Sequence, residues 1–201
     1  MDILSYPGKE LVPMSEKNKE SLRQELISNG FDCYTFYMVT GSELALCEKL
    51  NRKYKDAYFL TLRKMMHKSK DGVRYDVEDI MLNKHIFCYV RTGESIDFMK
   101  DLNGLVYLNE VDDNGLLTGK DYEYAKWVLE IDGLIGLSTA ILEEGPTTVI
   151  TSGPLLKFKD SIKKYERRNR NCLVSLDIAG NTIETWLPFV WENDTQAISS
   201  K

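Results

Sequence analysis

The chain has 201 residues, of which 43% are hydrophobic and 28% are charged, and its formal net charge is −5. This is the composition of a globular protein with a core, and no apolar run approaches the roughly 20 residues of a membrane-spanning helix. The first residues lack a basic head followed by an apolar stretch, so we expect a cytoplasmic protein with no signal peptide and no membrane contact.

Residues 1–31 are predicted to form an N-terminal extension. Loop signals at Tyr6-Pro7-Gly8 precede a charged helix over residues 15–28, which Asn29-Gly30 ends. The high charge of this helix predicts loose packing against the rest of the protein.

Residues 32–142 are predicted to form an α+β domain. The aromatic and β-branched run at 33–40 predicts a buried strand, and Ser42 is a candidate N-cap for the helix that follows. Asp71-Gly72 lies between two alternating runs and predicts a β-hairpin. The apolar face of the helix consists of Leu44, Cys47, Leu50 and Tyr54.

The same domain continues with shorter elements. Strands are predicted at 86–92 and 106–109, with a short helix at 95–104 between them. Residues 119–132 predict an amphipathic helix, whose apolar side holds Tyr124, Trp127, Val128 and Ile131.

The pattern changes at residues 143–147, where Glu143-Glu144-Gly145-Pro146 predicts a linker. Short strands separated by turns then predict a small β-barrel over residues 148–195, with a tail at 196–201. The strands near its end are predicted at 172–178, at 182–188 and at 189–192.

The sequence carries no recognisable catalytic or metal-binding motif. His67 and His85 stand outside any such motif, and we expect both at the surface. The four scattered cysteines form no CxxC pair, so reduced and mostly buried thiols are expected. We therefore predict no enzyme activity, no cofactor and no metal site.

Positive charge is concentrated between residues 157 and 170, where seven cations face two acids. Arginine combines charge for phosphate with a planar group for bases, so this segment predicts RNA binding. A solvated loop that protects a strand edge is an equally supported interpretation. The predicted RNA-binding residues are Lys157, Lys159, Lys163, Lys164, Tyr165, Arg167, Arg168 and Arg170.

The preceding segment, residues 109–146, has the opposite charge, with nine acids and two bases. The negative electrostatic field of this segment would repel a polyanion, so that nucleic acid contacts mainly the C-terminal domain. Alternatively, the acidic segment attracts the basic segment, and the two domains close together. The sequence leaves both open.

Two stretches near the N-terminus resemble the NusG family of transcription elongation factors. CYTFYMVTGSELALCEKLN, residues 33–51, resembles the family's opening strand, loop and helix. HIFCYV, residues 85–90, stands where the family has an aromatic-Pro-Gly-Tyr-Val motif, with Phe87 and Cys88 in place of Pro and Gly.

The C-terminal half extends this resemblance. DGLIGLSTAILEEGPTTVITSGPL, residues 132–155, resembles the junction into a KOW element and retains Gly153-Pro154. VSLDIAGNTIETWLPFVWE, residues 174–192, fits the family's last strands. The junction together with the basic segment is most similar to the specialised LoaP paralogues.

The resemblance implies an NGN-type antiparallel sheet with flanking helices, linked to a small SH3-like KOW β-barrel. It also implies a processive antitermination and elongation factor. Its N-terminal domain would bind the clamp helices of bacterial RNA polymerase, and its KOW domain a hairpin in the nascent leader RNA. The implied polymerase-binding residues are Tyr34, Tyr37, Ile86, Phe87 and Tyr89.

Three alternatives remain open. In general NusG proteins the KOW domain binds a ribosomal protein or a termination factor instead of RNA. An enzyme without a recognisable motif would need a site in the acidic segment, for example at Asp121 and Glu123. Refolding of the C-terminal domain into helices is disfavoured by the strand pattern at 172–178. We expect a monomer.

Overall fold

A computed structural model describes residues 16–38, 42–71, 73–99, 106–108, 115–143, 147–178 and 181–193. It has a mixed α and β architecture, in which one sheet curls into a half-barrel. The described residues form two compact units. The first holds those up to Leu60 together with Lys84–Leu116, and the second holds Thr61–Asn83 together with those from Leu117 onward. Each unit consists of two separate stretches of the sequence, whereas each predicted domain is one continuous stretch. The predicted domain boundaries stay a prediction.

The described elements alternate between the two units. Short 3-10 helices span Asp97–Met99, Pro154–Leu156 and Lys159–Ser161. The α-helices and strands in chain order are α1 (Glu16–Asn29), β1 (Phe31–Met38), α2 (Glu43–Lys53), β2 (Ala57–Leu60), β3 (Arg63–Lys70), β4 (Val73–Ile80), β5 (His85–Arg91), β6 (Val106–Leu108), α3 (Gly119–Glu130), β7 (Leu134–Ile135), β8 (Ser138–Leu142), β9 (Thr148–Ser152), β10 (Ile162–Glu166), β11 (Asn171–Ile178) and β12 (Asn181–Trp191).

The first unit is built on a four-stranded antiparallel sheet in the order β2-β5-β1-β6. Aromatic and β-branched residues favour these strands because their side chains pack well on a pleated, buried surface. One face of the sheet supplies Phe36, Phe59 and Ile86 to a core that also contains Cys47 and Leu50 of α2. The predicted apolar face of this helix is confirmed at Cys47 and Leu50, and at Tyr54, which packs against the same core. It is wrong at Leu44, which is 40% exposed.

Helix α2 is fixed to the sheet by polar contacts as well. Ser42 occupies the N-cap position, but its side chain forms no capping hydrogen bond. The carboxylate of Glu43, in the first turn, instead accepts the backbone N–H of Lys84 at 2.5 Å. At the other end, the buried Asn51 forms hydrogen bonds with the backbone of Phe59.

Helix α1 is packed more firmly than its charge predicts. Leu22 and Leu26 are buried, and Arg91 of β5 donates two hydrogen bonds to the Glu25 carboxylate, at 2.7 and 3.1 Å. The helix ends at the predicted position, where Gly30 has a φ of 90° and its N–H bonds to the carbonyl of Leu26 at 3.1 Å. Two buried leucines at i and i+4 are enough to anchor one face of a helix that is otherwise charged.

The second unit contains the hairpin of β3 and β4, helix α3 and the C-terminal strands. The hairpin forms where Asp71-Gly72 predicts it, although Gly72 itself lies outside the described residues. Strand β7 pairs parallel to β3. The Lys64 ammonium group of β3 donates to the hydroxyl of Thr185 in β12 at 2.6 Å, and this bond ties the hairpin to the C-terminal sheet.

The C-terminal sheet has five strands in the order β10-β11-β12-β8-β9. Strand β12 pairs antiparallel to β11 over Asn181–Pro188 and then parallel to β8 over Phe189–Trp191. The two strands predicted at 182–188 and 189–192 are therefore one strand. Pro188 lacks an N–H donor, and it is tolerated because it lies where the strand changes partners.

Strand β8 precedes the predicted linker and yet belongs to this sheet. Its core residue Ala140 is fully buried, as are Cys172 and Val174 of β11 and Phe189 of β12 in the same sheet. Strand β11 lies where the sequence predicts it, and the C-terminal sheet is built of strands rather than α-helices, with two short 3-10 helices between β9 and β10.

Gly153, at the end of β9, requires glycine for two reasons. Its φ is 87°, and a Cβ atom there would lie 2.7 Å from the Cα of Ser138. The tight approach lets the Ser138 hydroxyl accept the N–H of Leu155 at 2.9 Å. Gly153-Pro154 thus turns the chain out of β9 into the 3-10 helix that leads to the basic segment.

Several predictions fall on residues outside the described ranges. These include the N-terminal loop signals, most of the linker, the tail at 196–201 and part of the helix predicted at 95–104, of which the 3-10 helix Asp97–Met99 is described. Among the helices in the described part of the chain, none is long and apolar enough to cross a membrane.

Candidate nucleic-acid interface

The predicted RNA-binding residues lie on one continuous stretch of the second unit. The stretch begins directly after the 3-10 helix Pro154–Leu156 and runs through the 3-10 helix Lys159–Ser161, β10 and the turn into β11. Among the described carboxylates, none forms an ion pair with its exposed cations. Tyr165 and Arg170 are half-buried, and the exposed members are Lys157, Lys159, Lys163, Lys164, Arg167 and Arg168.

Strand β10, at the edge of the sheet, contains a β-bulge that the sequence pattern did not indicate. Ile162 pairs with Val174 and Lys164 with Leu173, so Lys163 is one residue more than the partner strand supplies. Consecutive residues of a regular strand point to opposite faces, and a bulge interrupts this alternation. Lys163 and Lys164 are consequently both exposed, and two adjacent ammonium groups reach solvent from one short strand.

The turn between β10 and β11 is held by backbone and side-chain bonds. The N–H of Arg170 bonds to the carbonyl of Arg167 at 3.2 Å, and Arg170 adopts a φ of 56°. Its own carbonyl accepts the N–H of Phe189 at 2.8 Å. The side chain of Arg167 is oriented by a 3.0 Å hydrogen bond from Nε to the hydroxyl of Thr148 in β9. The turn is therefore fixed to β9 and β12, and Arg167 is held in one direction.

Glu166, one of the two acids within the basic segment, forms a hydrogen bond inside its own turn. The carboxylate of Glu166 accepts a hydrogen bond from the side-chain amide of Asn169 at 2.9 Å. A carboxylate that is bonded across its own turn competes less for the neighbouring guanidinium groups.

Lys157 has a partner within the second unit. Its ammonium group lies 5.0 Å from the ring centre of Trp127 in α3, within the range of a cation–π contact. Burial lowers the pKa of Lys157, while Glu130 and Glu123 oppose this shift. Lys157 thus contributes to attaching the 3-10 turn to α3, and a phosphate would have to compete for it.

Tyr165 offers less surface for stacking than the sequence suggests. It pairs in register with the buried Cys172, and its side chain is half-buried. Burial raises the pKa of its hydroxyl, so the phenol is neutral at physiological pH.

A groove beside the turn brings Arg167 and Arg168 together with an aromatic side chain. It has a volume of about 740 Å³ and is open to solvent. Trp191 is half-buried, and its ring contacts Phe189 edge-on with centroids 5.0 Å apart. The remaining lining residues are Ala140, Ile141, Leu142, Glu192 and Asn193.

Neither Trp191 nor Leu142 is among the residues for which the sequence predicts a role. Trp191 belongs to the strand predicted at 189–192, whereas no strand was predicted at Leu142, and the groove exists only because β8 and β12 pair in parallel. One signal was available: a tryptophan in the last strand, directly before the acidic Glu192, is unusual for a residue that is wholly core.

The predicted polymerase-binding residues are mostly interior side chains. Ile86, Phe87 and Tyr89 of β5 are each at most 1% exposed, and Tyr34 is 9% exposed. Tyr37 is half-buried, with its ring 4.1 Å from that of His85. The assignment stays a prediction, and in this conformation Tyr37 offers the most surface of the five.

The histidines differ from the expectation that both lie at the surface. His85 is 7% exposed, because β5 runs through the middle of the sheet. His67 has 16% of its side chain exposed, and its Nδ1 lies 2.5 Å from the carboxylate of Asp76 across the hairpin. All four cysteines are buried and reduced, as predicted. In the described part of the chain, no group of three or more potential metal ligands comes together.

No family model matches the chain, and a search of curated proteins finds none that matches it.

Proposed function

We propose that this protein is a NusG-like transcription elongation and antitermination factor that binds nascent structured RNA through its basic segment, residues 157–170. The N-terminal half would be an NGN-type domain that binds bacterial RNA polymerase. The C-terminal half would be a KOW-type barrel.

The order of elements supports this proposal. A four-stranded antiparallel sheet packs against α2, and a five-stranded sheet follows at the C-terminal end. The glycine that the KOW junction retains, Gly153, is required by the backbone geometry. These features agree with the resemblance, whereas RNA binding is inferred from the residues of the site itself.

The observation that carries the proposal is the exposed row of cations on β10 and the adjoining turn. The bulge exposes Lys163 and Lys164 side by side, and Arg167 and Arg168 follow within four residues. In a protein of net charge −5, such a cluster has a strongly positive local field. RNA phosphates are the ligand that this arrangement suits, with arginine adding planar hydrogen bonding.

The test is the salt dependence of RNA binding by the full chain. If four or five phosphates are neutralised, log K for a hairpin RNA should fall with log salt at a slope of roughly −3 to −5. Replacing Lys163 and Lys164 by alanine should make the slope shallower by about 1.4–1.8. A matched control replaces Lys49 and Lys55, two exposed lysines of the first unit, and should leave the slope unchanged. A slope near zero for the unmodified chain would contradict the proposal.

Polymerase binding is tested separately. The full chain should bind purified core polymerase, and removal of the clamp helices should abolish this binding. Binding that persists without the clamp helices would contradict the NGN assignment but leave RNA binding untouched.

A protein partner for the C-terminal half is the second candidate. Leu142 and Leu156 are large apolar side chains that are 57% and 47% exposed in this half. Exposed leucines of this kind fit a ribosomal protein or a termination factor as partner. Saturable, salt-insensitive binding of such a protein, without RNA binding, would favour this function.

A further inference from the structure

We propose that the groove lined by Arg167, Arg168 and Trp191 is a subsite for one unpaired nucleotide of the RNA, with its base on the Trp191 ring and its phosphate on the two arginines. This inference rests on the proposed RNA binding. It goes further, because it predicts a single-stranded element as the feature that is recognised.

The aromatic surface of the groove is preorganised. The ring of Trp191 is held by the edge-on contact with Phe189, which is fully buried. Its backbone is fixed because Trp191 pairs with Ala140 of β8. A flat indole on a rigid strand is the kind of surface on which nucleic-acid bases stack, whatever their sequence.

The phosphate-binding side is preorganised as well. The bond from Arg167 Nε to Thr148 leaves the two terminal nitrogens of this guanidinium group for other acceptors, since no described carboxylate pairs with it. Arg168 is exposed and lines the same groove. Two neighbouring arginines of this kind suit the oxygens of a phosphate.

The shape of the groove favours a single nucleotide over a helix. At about 740 Å³ it has the size of a small-ligand pocket rather than of a duplex-binding surface. A base in an A-form helix cannot present its face to an indole, whereas an extruded base can. The exposed side-chain amide of Asn193, which also lines the groove, is a hydrogen-bonding group that an exposed base edge could use.

An acidic peptide is the competing occupant, since arginines also bind carboxylates. The exposed Lys163 and Lys164 lead along the same segment toward Arg167, as expected for a surface that follows a phosphate backbone. Trp191 offers stacking that a carboxylate side chain does not use. The observations therefore favour RNA.

The experiment compares the affinity of the full chain for two RNAs, a short unstructured oligocytidine and a blunt duplex of the same length. The primary variant is Leu142→Glu, which places a carboxylate in the groove at a side chain that is 57% exposed, so folding should be preserved. Its matched control is Leu156→Glu, the same change at an exposed leucine that does not line the groove.

A second pair of variants tests the stacking directly. Trp191→Ala should weaken oligocytidine binding about fivefold or more while leaving duplex binding within about twofold, since the loss of one stacked base has this size. Trp186→Ala is the control, because Trp186 lies on the same strand, is also half-buried and does not line the groove. Leu142→Glu should likewise lower the ratio of single-strand to duplex affinity, and Leu156→Glu should not.

The outcomes separate the two proposals. If the unmodified chain binds neither of these RNAs nor the hairpin of the salt-dependence test, the proposed function fails and this inference fails with it. If it binds RNA but Leu142→Glu and Trp191→Ala leave the affinity ratio unchanged, the groove assignment is wrong and the proposed function stands. If oligoglutamate binds in a manner that depends on Trp191 while the ratio is unchanged, the groove accepts an acidic peptide, and the inference is overturned.

Discussion

The side-chain amide of Asn51 forms two hydrogen bonds of 2.8 Å with the backbone N–H and the backbone carbonyl of Phe59. Asn51 is 5% exposed, so neither backbone group has ready access to water. The Asn51 amide thereby pairs with both backbone polar groups of Phe59 in β2, as the backbone of a neighbouring strand would.

Replacing Asn51 by alanine should lower the free energy of unfolding by about 2–4 kcal/mol, because two buried backbone groups lose their partner. Urea unfolding monitored by circular dichroism measures this change. Asn169→Ala, at an exposed turn position, is the control and should cost well under 1 kcal/mol. A loss below 1 kcal/mol for Asn51→Ala would mean that water replaces the amide.

Asn51→Asp adds a pH test at the same position. An aspartate there keeps an acceptor for the N–H but must be protonated to donate to the carbonyl, and burial raises its pKa in the folded state. A carboxyl whose folded pKa is above its unfolded value destabilises the fold at neutral pH, and the fold regains stability as the pH falls. The free energy of unfolding of Asn51→Asp, measured relative to the unmodified chain, should therefore be lowered less at about pH 5 than at neutral pH.

We expect replacement of Tyr89 to destabilise the fold, whatever its effect on partner binding. It is fully buried, and its ring contacts Phe31 edge-on at 5.4 Å. Tyr89→Ala should lower the free energy of unfolding by about 3–5 kcal/mol, the cost of a large cavity. Thermal melting checks this, with Tyr75→Ala as the control, since Tyr75 is 43% exposed. An unchanged melting temperature together with lost polymerase binding would support the role of a surface anchor instead.

The contact between Glu25 and Arg91 should make the docking of α1 sensitive to acid. The hydrogen bond from Arg91 lowers the pKa of Glu25, so its folded pKa lies below the unfolded value. The contact therefore stabilises the fold above the ordinary pKa of glutamate and loses this effect as the pH falls through the folded pKa. Hydrogen exchange of the α1 amides should accelerate at about pH 3 relative to neutral pH, beyond the intrinsic pH effect.

The variant Glu25→Gln should show fast exchange of the same amides already at neutral pH. Glu48→Gln is the matched control, because its partner Arg52 is 3.5 Å away and both side chains are mostly exposed. Equal protection of α1 in the Glu25 variant and in the unmodified chain would show that the leucines alone hold the helix.

The bond between Arg167 and Thr148 should be measurable as a coupling energy. In a double-mutant cycle of Arg167→Ala and Thr148→Val, we expect a coupling of about 0.5–1 kcal/mol in the free energy of unfolding. Arg168→Ala in place of Arg167→Ala should give no coupling with Thr148→Val. A zero value for the Arg167 pair would mean that the guanidinium group is not oriented by β9.

Local sequence patterns predicted much of the secondary structure. The turn residues at Asp71-Gly72 fix the hairpin of β3 and β4, and Asn29-Gly30 fixes the end of α1. Alternation predicted β11, since one of its faces is buried and the other is not. These features depend on neighbours in the chain, which a sequence displays directly.

Features that depend on distant pairing were not predictable in this way. The parallel pairing of β8 with β12 joins residues about fifty positions apart, and no short sequence pattern predicts this pairing. The groove at Trp191 follows from that pairing, and so it was missed as well. The bulge at Lys163 depends on the register of β11, and the burial of His85 depends on the central position of β5.

The order of strands in the C-terminal sheet has a practical consequence for dissecting the protein. A fragment that begins at Thr148, after the linker, would lack β8 and thus expose the flank of β12 that β8 now covers at Phe189–Trp191. Unpaired strand flanks with apolar side chains recruit other chains and promote aggregation. A fragment suited to isolated measurements has to begin before Ser138, so that the sheet keeps all five of its strands.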